Sequence, residues 1–393
     1  MTSSAEQIRT YAGPAIWLIG FRPFFLGGAI CALFAVGLWL PMLSGHLVLP
    51  TAFTPVEWHV HELIFGYVPA VVAGFLLTAV PNWTGRLPVN GRRLQWLFLV
   101  WVIGRVAVLG SRILGPHVAA VIDLMFLATL FVVIAREIIA SRNTHNLKVI
   151  LIVGLLLAGN VTFHIEVLIG GRLAYGTRAG IAAAIMLIML IGGRIIPSFT
   201  RNWLARRGAG RLPIPFGRFD AGVVMVSALG LASWIYAPEH RITAVLAIVA
   251  AILNVMRLAR WAGERTGGEP LVAILHVAFA FVPIGFVLLS LGILRPDIIL
   301  PSGALHGWTA GAIALMTLAV MTRTSLGHTG RPLVANGPIQ FIYVVAFAAA
   351  LFRIVAAFGI VRELALYASA AAWIMAFSAY IFVYSPILTR PKV

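Results

Sequence analysis

The chain has 393 residues, of which 61% are hydrophobic and 10% charged, and its mean hydropathy is +0.99, which excludes a water-soluble globular domain of this length. Its formal charge of +17 raises nucleic acid as a partner, but the basic residues sit between apolar runs instead of in aromatic-interleaved tracts, so no nucleic acid is expected. Cys31 is the sole cysteine, which excludes an internal disulfide, a thiolate-held iron–sulfur cluster and a CxxC site and leaves nitrogen and oxygen as metal donors.

Twelve apolar runs follow one another: Ile16 to Met42, Trp58 to Val80, Leu94 to Leu109, Val118 to Ala140, Lys148 to Leu168, Ala179 to Ile196, Ala221 to Tyr236, Ile242 to Leu258, Leu271 to Leu291, Ala304 to Met321, Ile339 to Phe358 and Leu364 to Tyr384. About 20 apolar residues cross a bilayer as a helix, and irregular backbone in lipid has no partners. The expected fold class is therefore all-α, a polytopic integral membrane bundle of about twelve transmembrane helices forming a single domain over residues 1–393. The polar start, with Arg9 its only basic residue, precedes a run longer than a signal-peptide core, so that run is expected to stay as the first span. Counting the start and the loops after even-numbered spans gives nineteen Lys and Arg, against six on the other side (Arg112, Arg172, Arg178, Arg241, Arg295 and Arg362). This bias places both termini in the cytoplasm.

Four arginines fall within or at the edges of spans: Arg22, Arg105, Arg194 and Arg353. A charge at membrane depth costs roughly 2.5–3.5 kcal/mol on insertion scales. Arg105 and Arg353 divide evenly between structural and functional readings, since they can snorkel or pair locally. Arg22 and Arg194 stand in the dense strings FRPFF and GGRIIPSFTRNW, where a cation can hold a haem propionate or another anion. A weak repeat also appears. His61 stands 23 residues before Thr84-Gly85-Arg86, His306 stands 23 residues before Thr329-Gly330-Arg331, and Gly66 and Gly311 match in that register, so spans two and ten are expected to correspond.

Of the ten histidines, His46, His117, His145 and His240 fall between spans. The metal-ligand candidates are His59, His61, His164, His276, His306 and His328, because ionisable residues within spans are functional by default. His59 and His61 occupy the first turn of span two, beside Glu62. His164 lies about 9 Å into span five at about 1.5 Å per residue, and His306 opens span ten from the same outer side. These four are expected in one outer layer, whereas His276 and His328 lie toward the inner face, where either they form a second site or one of them is an ordinary polar residue bonded to a neighbouring helix. Positions two apart on a helix point about 200° from each other, so His59 and His61 are expected to face different centres. Imidazoles suit copper, zinc, iron and haem, whereas calcium or magnesium needs several carboxylates, and only Glu62 and Glu166 stand near this layer. Glu62 is placed to orient an imidazole or carry protons; Glu166 does either, or is solvated at a helix end. No Walker loop, HExxH or nucleophile elbow occurs.

The strings GFRPFFLGG from Gly20, WHVHELIFGY from Trp58, AGFLLTAVPNWTGR from Ala73, GNVTFHIE from Gly159, GGRIIPSFTRNW from Gly192, LHVAFAFVPIGF from Leu275 and LAVMTRTSLGHTGRPL from Leu318 together resemble the NnrS family over nearly the whole chain. The resemblance implies a multi-pass protein of the bacterial cytoplasmic membrane containing haem, expected to be b-type, and copper, and linked to nitric oxide metabolism and protection from nitrosative stress. By motif position it puts the family's histidines on the same six positions, with Arg22, Glu62, Arg194 and Arg323 as polar, cofactor-binding companions. Haem–copper oxidase subunits offer a looser, fold-level likeness, through one helix whose HxH serves two centres.

The expected function is nitric oxide binding, sensing or oxidoreductive turnover at a histidine-ligated metal near the periplasmic side, with haem between span two and another span and with His306, then His164, as the opposite ligand. The partners expected are nitric oxide, membrane lipid and an electron donor that the residues do not identify. The alternatives are a metal or small-solute transporter using a histidine relay, in which helices broken near Pro69, Pro81, Pro197 and Pro283 would take part, and a metal chaperone.

Overall fold

With lipid as solvent, each span must satisfy its backbone hydrogen bonds internally, and the apolar runs do so as helices. A computed structural model of the protein describes residues 11–86, 88–142, 144–171, 175–359 and 361–391, and every regular element among them is helical. Arg9, Arg172 and Lys392, which entered the charge count, lie outside the described residues.

The long helices are α1 (Phe21–Leu43), α2 (Pro55–Thr84), α3 (Gly91–Leu109), α4 (Pro116–Ala140), α5 (Leu147–Leu168), α6 (Tyr175–Leu204), α7 (Arg218–Tyr236), α8 (Arg241–Ala259), α9 (Pro270–Leu294), α10 (Pro301–His328), α11 (Gly337–Ala357) and α12 (Arg362–Thr389). Among the described residues, eleven of these are long and apolar enough to cross a membrane, so the protein is a polytopic membrane bundle. The remaining one, α3, is held back by Arg92, Arg93 and Arg105 in its 19 residues. The first two stand in its opening turn and are exposed, and the third is ion-paired.

Two helices run well past their apolar stretches for one physical reason. The tail of α6, Gly193–Leu204, and the end of α10, as far as His328, are rich in Arg, Thr and Ser, which lower hydropathy without breaking a helix. The first helix also starts later than hydropathy implies, at Phe21, after a short 3-10 turn over Ala15–Trp17.

Three helices contain a π-helical segment: Glu62–Tyr67 in α2, Ile188–Gly192 in α6 and Gly307–Ile313 in α10. Such insertions are rare and concentrate at functional positions. They give the sequence repeat a structural counterpart, because His61 and His306 each stand immediately before a π segment. Gly85 and Gly330 each follow the matching threonine with φ of +68° and +79°, the left-handed conformation that favours glycine. Thr84 and Thr329 each donate a side-chain hydrogen bond one turn back, to the carbonyls of Val80 and Ser325.

The chain divides into two compact units: one runs through Ala183 and adds Thr324–Arg331 and the chain from Phe377 onward, and the other comprises Ala184–Arg323 and Pro332–Ala376. In the first, α1 packs on α2, α3 on α4 and α4 on α5. In the second, α7 packs on α8 and α8 on α9, while α9 and α11 cover the π segment of α10.

Glycines let the start of α6 approach α5 and α2 closely. A Cβ at Gly176 would lie 2.5 Å from the Phe163 backbone nitrogen, and one at Gly180 would meet Ile64 at 2.5 Å. Close approach over small residues is how helices associate when lipid removes the hydrophobic drive between them. Gly176→Val should therefore lower the thermal unfolding midpoint of the detergent-purified protein clearly, because backbone is the obstacle. Gly222→Ala, with open space at its Cβ, should leave it unchanged.

Candidate metal centre

The entry to α2 is fixed by a capping box: Thr54 Oγ1 accepts from the Glu57 amide at 3.3 Å, and Glu57 Oε2 accepts from the Thr54 amide at 2.7 Å. This start, with Pro55 in the first turn, sets the rotation of the two histidines that follow. His61 turns inward and is fully buried. His59 is half-buried and stacks on Trp39 at a centroid distance of 4.1 Å, with Nδ1 3.3 Å from the Ala35 carbonyl.

Four helices of the first unit bring polar groups around His61. Its Nδ1 lies 3.2 Å from Glu62 Oε1 on α2, and its Nε2 lies 3.2 Å from both Asp123 Oδ2 on α4 and Asn160 Oδ1 on α5. His164, one turn after Asn160, puts its Nε2 2.9 Å from the same Asp123 oxygen. Asn160 Nδ2 donates to that oxygen at 2.9 Å. From α3, Arg105 donates through Nη1 to Glu62 Oε1 at 2.6 Å and through Nη2 to Asp123 Oδ1.

Glycines make room for this network. A Cβ at Gly66 would lie 2.7 Å from Arg105 Nη1, and one at Gly104 would lie 3.3 Å from the Asp123 backbone. Phenylalanines enclose the imidazoles: Phe53 lies 5.3 Å from His61 and 5.8 Å from His164, and Phe163 and Phe65 stand 5.3 and 5.7 Å from His61. Phe53 rides on a segment latched to α3 and the turn after it. Thr51 Oγ1 donates to the Val108 carbonyl at 3.0 Å, and the Ala52 amide donates to Ser111 Oγ at 2.8 Å.

His61, Asp123 and His164 form a buried group that could hold a metal, with one ligand atom from each lying within 4.8 Å of the others. Ligands bound at about 2.0–2.2 Å in a tetrahedron stand about 3.3–3.6 Å apart, so the Nε2 to Oδ2 separations of 2.9 and 3.2 Å need adjust by only a few tenths of an ångström. Two imidazoles and one carboxylate suit zinc, copper or iron; calcium and magnesium take oxygen cages.

The hydrogen-bond inventory also favours a cation. A neutral imidazole has one N–H, yet His61 faces carboxylate oxygens from both ring nitrogens. If Nδ1 donates to Glu62, the lone pair of Nε2 points at Asp123 Oδ2 and Asn160 Oδ1, which also hold lone pairs. A metal ion at Nε2, or a second proton on the ring, would supply the electron-pair acceptor that this arrangement calls for. With neutral imidazoles, Glu62 and Asp123 carry two negative charges against one positive charge on Arg105.

The other predicted residues are placed as follows. Glu62 is at the centre, orienting His61 and pairing with Arg105. Glu166 caps α6, accepting from the amides of Tyr175 and Gly176 at 2.8 and 3.2 Å. Arg22 is buried and donates to the carbonyls of Leu388 and Arg390 at 2.9 and 2.7 Å, closing the end of α12. His328 is the exposed last residue of α10, its ring 5.7 Å from that of Phe21. In the second unit, buried His276 pairs through Nε2 with Thr200 Oγ1 at 2.8 Å, and half-buried His306 sets Nδ1 3.2 Å from the Gly303 carbonyl. Arg323 lies 4.2 Å over the Phe199 ring, and Arg194 is half-buried, two residues after its π segment.

Asp123, the carboxylate both imidazoles share, and Asn160 stand outside the candidates that the sequence offers, although an acid in the middle of an apolar run is a readable signal. Arg105, weighed evenly between roles, is their counter-charge.

The family model described as NnrS protein matches residues 15–392. A search of curated proteins finds no match.

Replacing Arg105 by Gln strands two buried carboxylates, and breaking a buried pair costs about 3–5 kcal/mol. The expected outcome is a large fall in unfolding midpoint or in folded yield, read by detergent-phase thermal denaturation. Arg295→Gln, which breaks an exposed pair with Asp297, should leave the midpoint where it was.

Proposed function

The chain belongs to the NnrS family, and on that premise we propose that it is a haem- and copper-containing protein of the bacterial cytoplasmic membrane that binds or turns over nitric oxide, protecting the cell from nitrosative stress. The observation that carries the reading is the wedge of His61 between two carboxylates, with His164 sharing one of them. This group is assigned to the non-haem ion, which is copper on the family's pattern. A bound redox ion there supplies an electrophilic centre for a small diatomic ligand.

The chain's own residues perform the remaining work. Arg105 fixes Asp123 through Oδ1 and leaves Oδ2 to face the imidazoles. Glu62 sets the tautomer of His61 by accepting at Nδ1, the usual role of a carboxylate behind a ligating histidine. Phe53, Phe65 and Phe163 exclude water and give an apolar surround suited to an uncharged diatomic molecule.

Both imidazoles of the group are turned to Asp123, so the haem is assigned to histidines outside it. His306 is the foremost, because it heads the π segment that matches the one after His61. The opposed settings of His59 and His61 support two centres served from α2.

The transporter reading has one observation in its favour, the π segments in α2, α6 and α10. Against it, the helices continue through these segments, and ion pairs on Arg105 pin the polar residues.

Elemental analysis of the purified protein should find copper together with the absorption of haem. His61→Ala, His164→Ala and Asp123→Asn should each lose the non-haem metal, while His59→Ala keeps it. Glu62→Gln should weaken metal binding by about 10–100-fold in chelator competition. Wild-type protein that is colourless and free of metal would overturn the proposal.

A further inference from the structure

A second feature, independent of the metal centre, lies in the second unit on the side that the arginine bias assigns to the cytoplasm. No Asp or Glu occurs between Arg194 and Asp220, whereas Arg201, Arg206, Arg207, Arg211 and Arg218 do. The connection from α6 to α7 is built as a plaque rather than a loose tail. Arg201 Nη2 donates to the Pro213 carbonyl at 2.6 Å, and Arg211 Nη1 to the Ala259 carbonyl at 2.9 Å. Arg265 Nη1 donates to the Arg211 carbonyl at 2.5 Å, and the Ile214 amide to the Arg260 carbonyl at 3.0 Å.

Two of the nearby acids are already occupied, and Glu269, beside the Gly268 that faces Trp203 and Arg207, is buried at Oε1. Asp220 is buried against Arg257 and Arg260, and Glu264 is bonded by Arg211 at 2.6 Å, which holds its carboxyl below the ordinary range. Arg206 and Arg218 are exposed, and Arg207 is exposed with its guanidinium 4.3 Å over the Trp203 ring.

Between Arg211 and Arg218 the plaque displays Ile214 and Phe216, at 45% and 50% exposure, with Pro213 and Pro215 stiffening the backbone. Apolar side chains on an ordered loop outside the spans, interleaved with arginines, fit one environment: the boundary where acyl chains meet headgroups. We propose that this plaque, from Trp203 to Arg218, is a binding surface for anionic phospholipid of the cytoplasmic leaflet, with Arg206, Arg207 and Arg218 on the phosphate and Ile214 and Phe216 against the acyl chains. The charge complements that leaflet, whose anionic lipids attract basic segments beside membrane helices.

Native mass spectrometry of the delipidated full chain, titrated with phosphatidylglycerol or with phosphatidylcholine of identical acyl chains, tests the assignment. Preferential retention of phosphatidylglycerol is expected, falling roughly fivefold for each of Arg206→Gln, Arg207→Gln and Arg218→Gln. Ile214→Ser with Phe216→Ser should weaken both lipids, and soluble glycerol phosphate should not compete, which separates a lipid site from a phosphate site. An unchanged wild-type unfolding midpoint shows that a variant remains folded. Equal retention of the two lipids, unaltered retention in folded arginine variants, or competition by glycerol phosphate would overturn the proposal.

Discussion

A guanidinium shared by two carboxylates is the constraint on which the first unit depends. Placing Arg105, Glu62 and Asp123 singly in a membrane interior would be costly, and the structure admits them only by bringing α2, α3 and α4 together at one point. The pairing fixes more than helix positions. Arg105 occupies Asp123 Oδ1, so Oδ2 is left to both imidazoles and to Asn160. Donor orientation is thus set by the protein's own charges, which is what a preorganised coordination group requires.

Backbone geometry complements the ion network. The π segment starts directly after His61, so the residues beyond it are rotated relative to a regular helix while the two histidines keep the register set by the Thr54 cap. His61 can then face α4 and α5 while His59, two positions earlier, faces α1 through Trp39. In α10 the same order recurs, with a histidine, a π segment and a closing Thr-Gly-Arg turn. A local sequence coincidence of few residues thus corresponds to a shared helical irregularity.

Hydropathy made the helices legible because lipid permits little else, and it failed at the places where polar residues enter a helix. The tails of α6 and α10 and the first turn of α3, with Arg92 and Arg93, are helical beyond the apolar runs. Averaging also hid Asp123, whose single charge is diluted by the apolar residues of α4. Counting helix rise placed His61 and His164 at a common depth, and their ring centroids are 5.0 Å apart. Depth does not give azimuth, however, and so His59, at nearly the same level, faces Trp39 on α1 and not the carboxylates. Glu166 and Arg22 show the same limit from another side, since their partners are backbone groups at helix ends, which no residue pattern announces.

The sign of the buried charge separates function from packing. In the second unit Arg257 is fully buried, bonded to Asp220 Oδ1 and to the Met189 carbonyl in the π segment of α6, with Arg260 on the other oxygen of Asp220. Positive charge is in surplus there, and it is absorbed by a carbonyl and by the faces of Phe216, Trp261 and Phe279, 5.3–5.9 Å away. The Nη2 of Arg257 is nonetheless buried without a hydrogen-bond partner among the described residues, so rings and a carbonyl meet only part of that charge. The first unit has the opposite surplus, two carboxylates on one arginine with imidazole nitrogens turned toward the extra charge, and phenyl rings around it that present no cation. With both imidazoles neutral, a positive species closes that imbalance, and the group of His61, His164 and Asp123 could hold one as a metal ion.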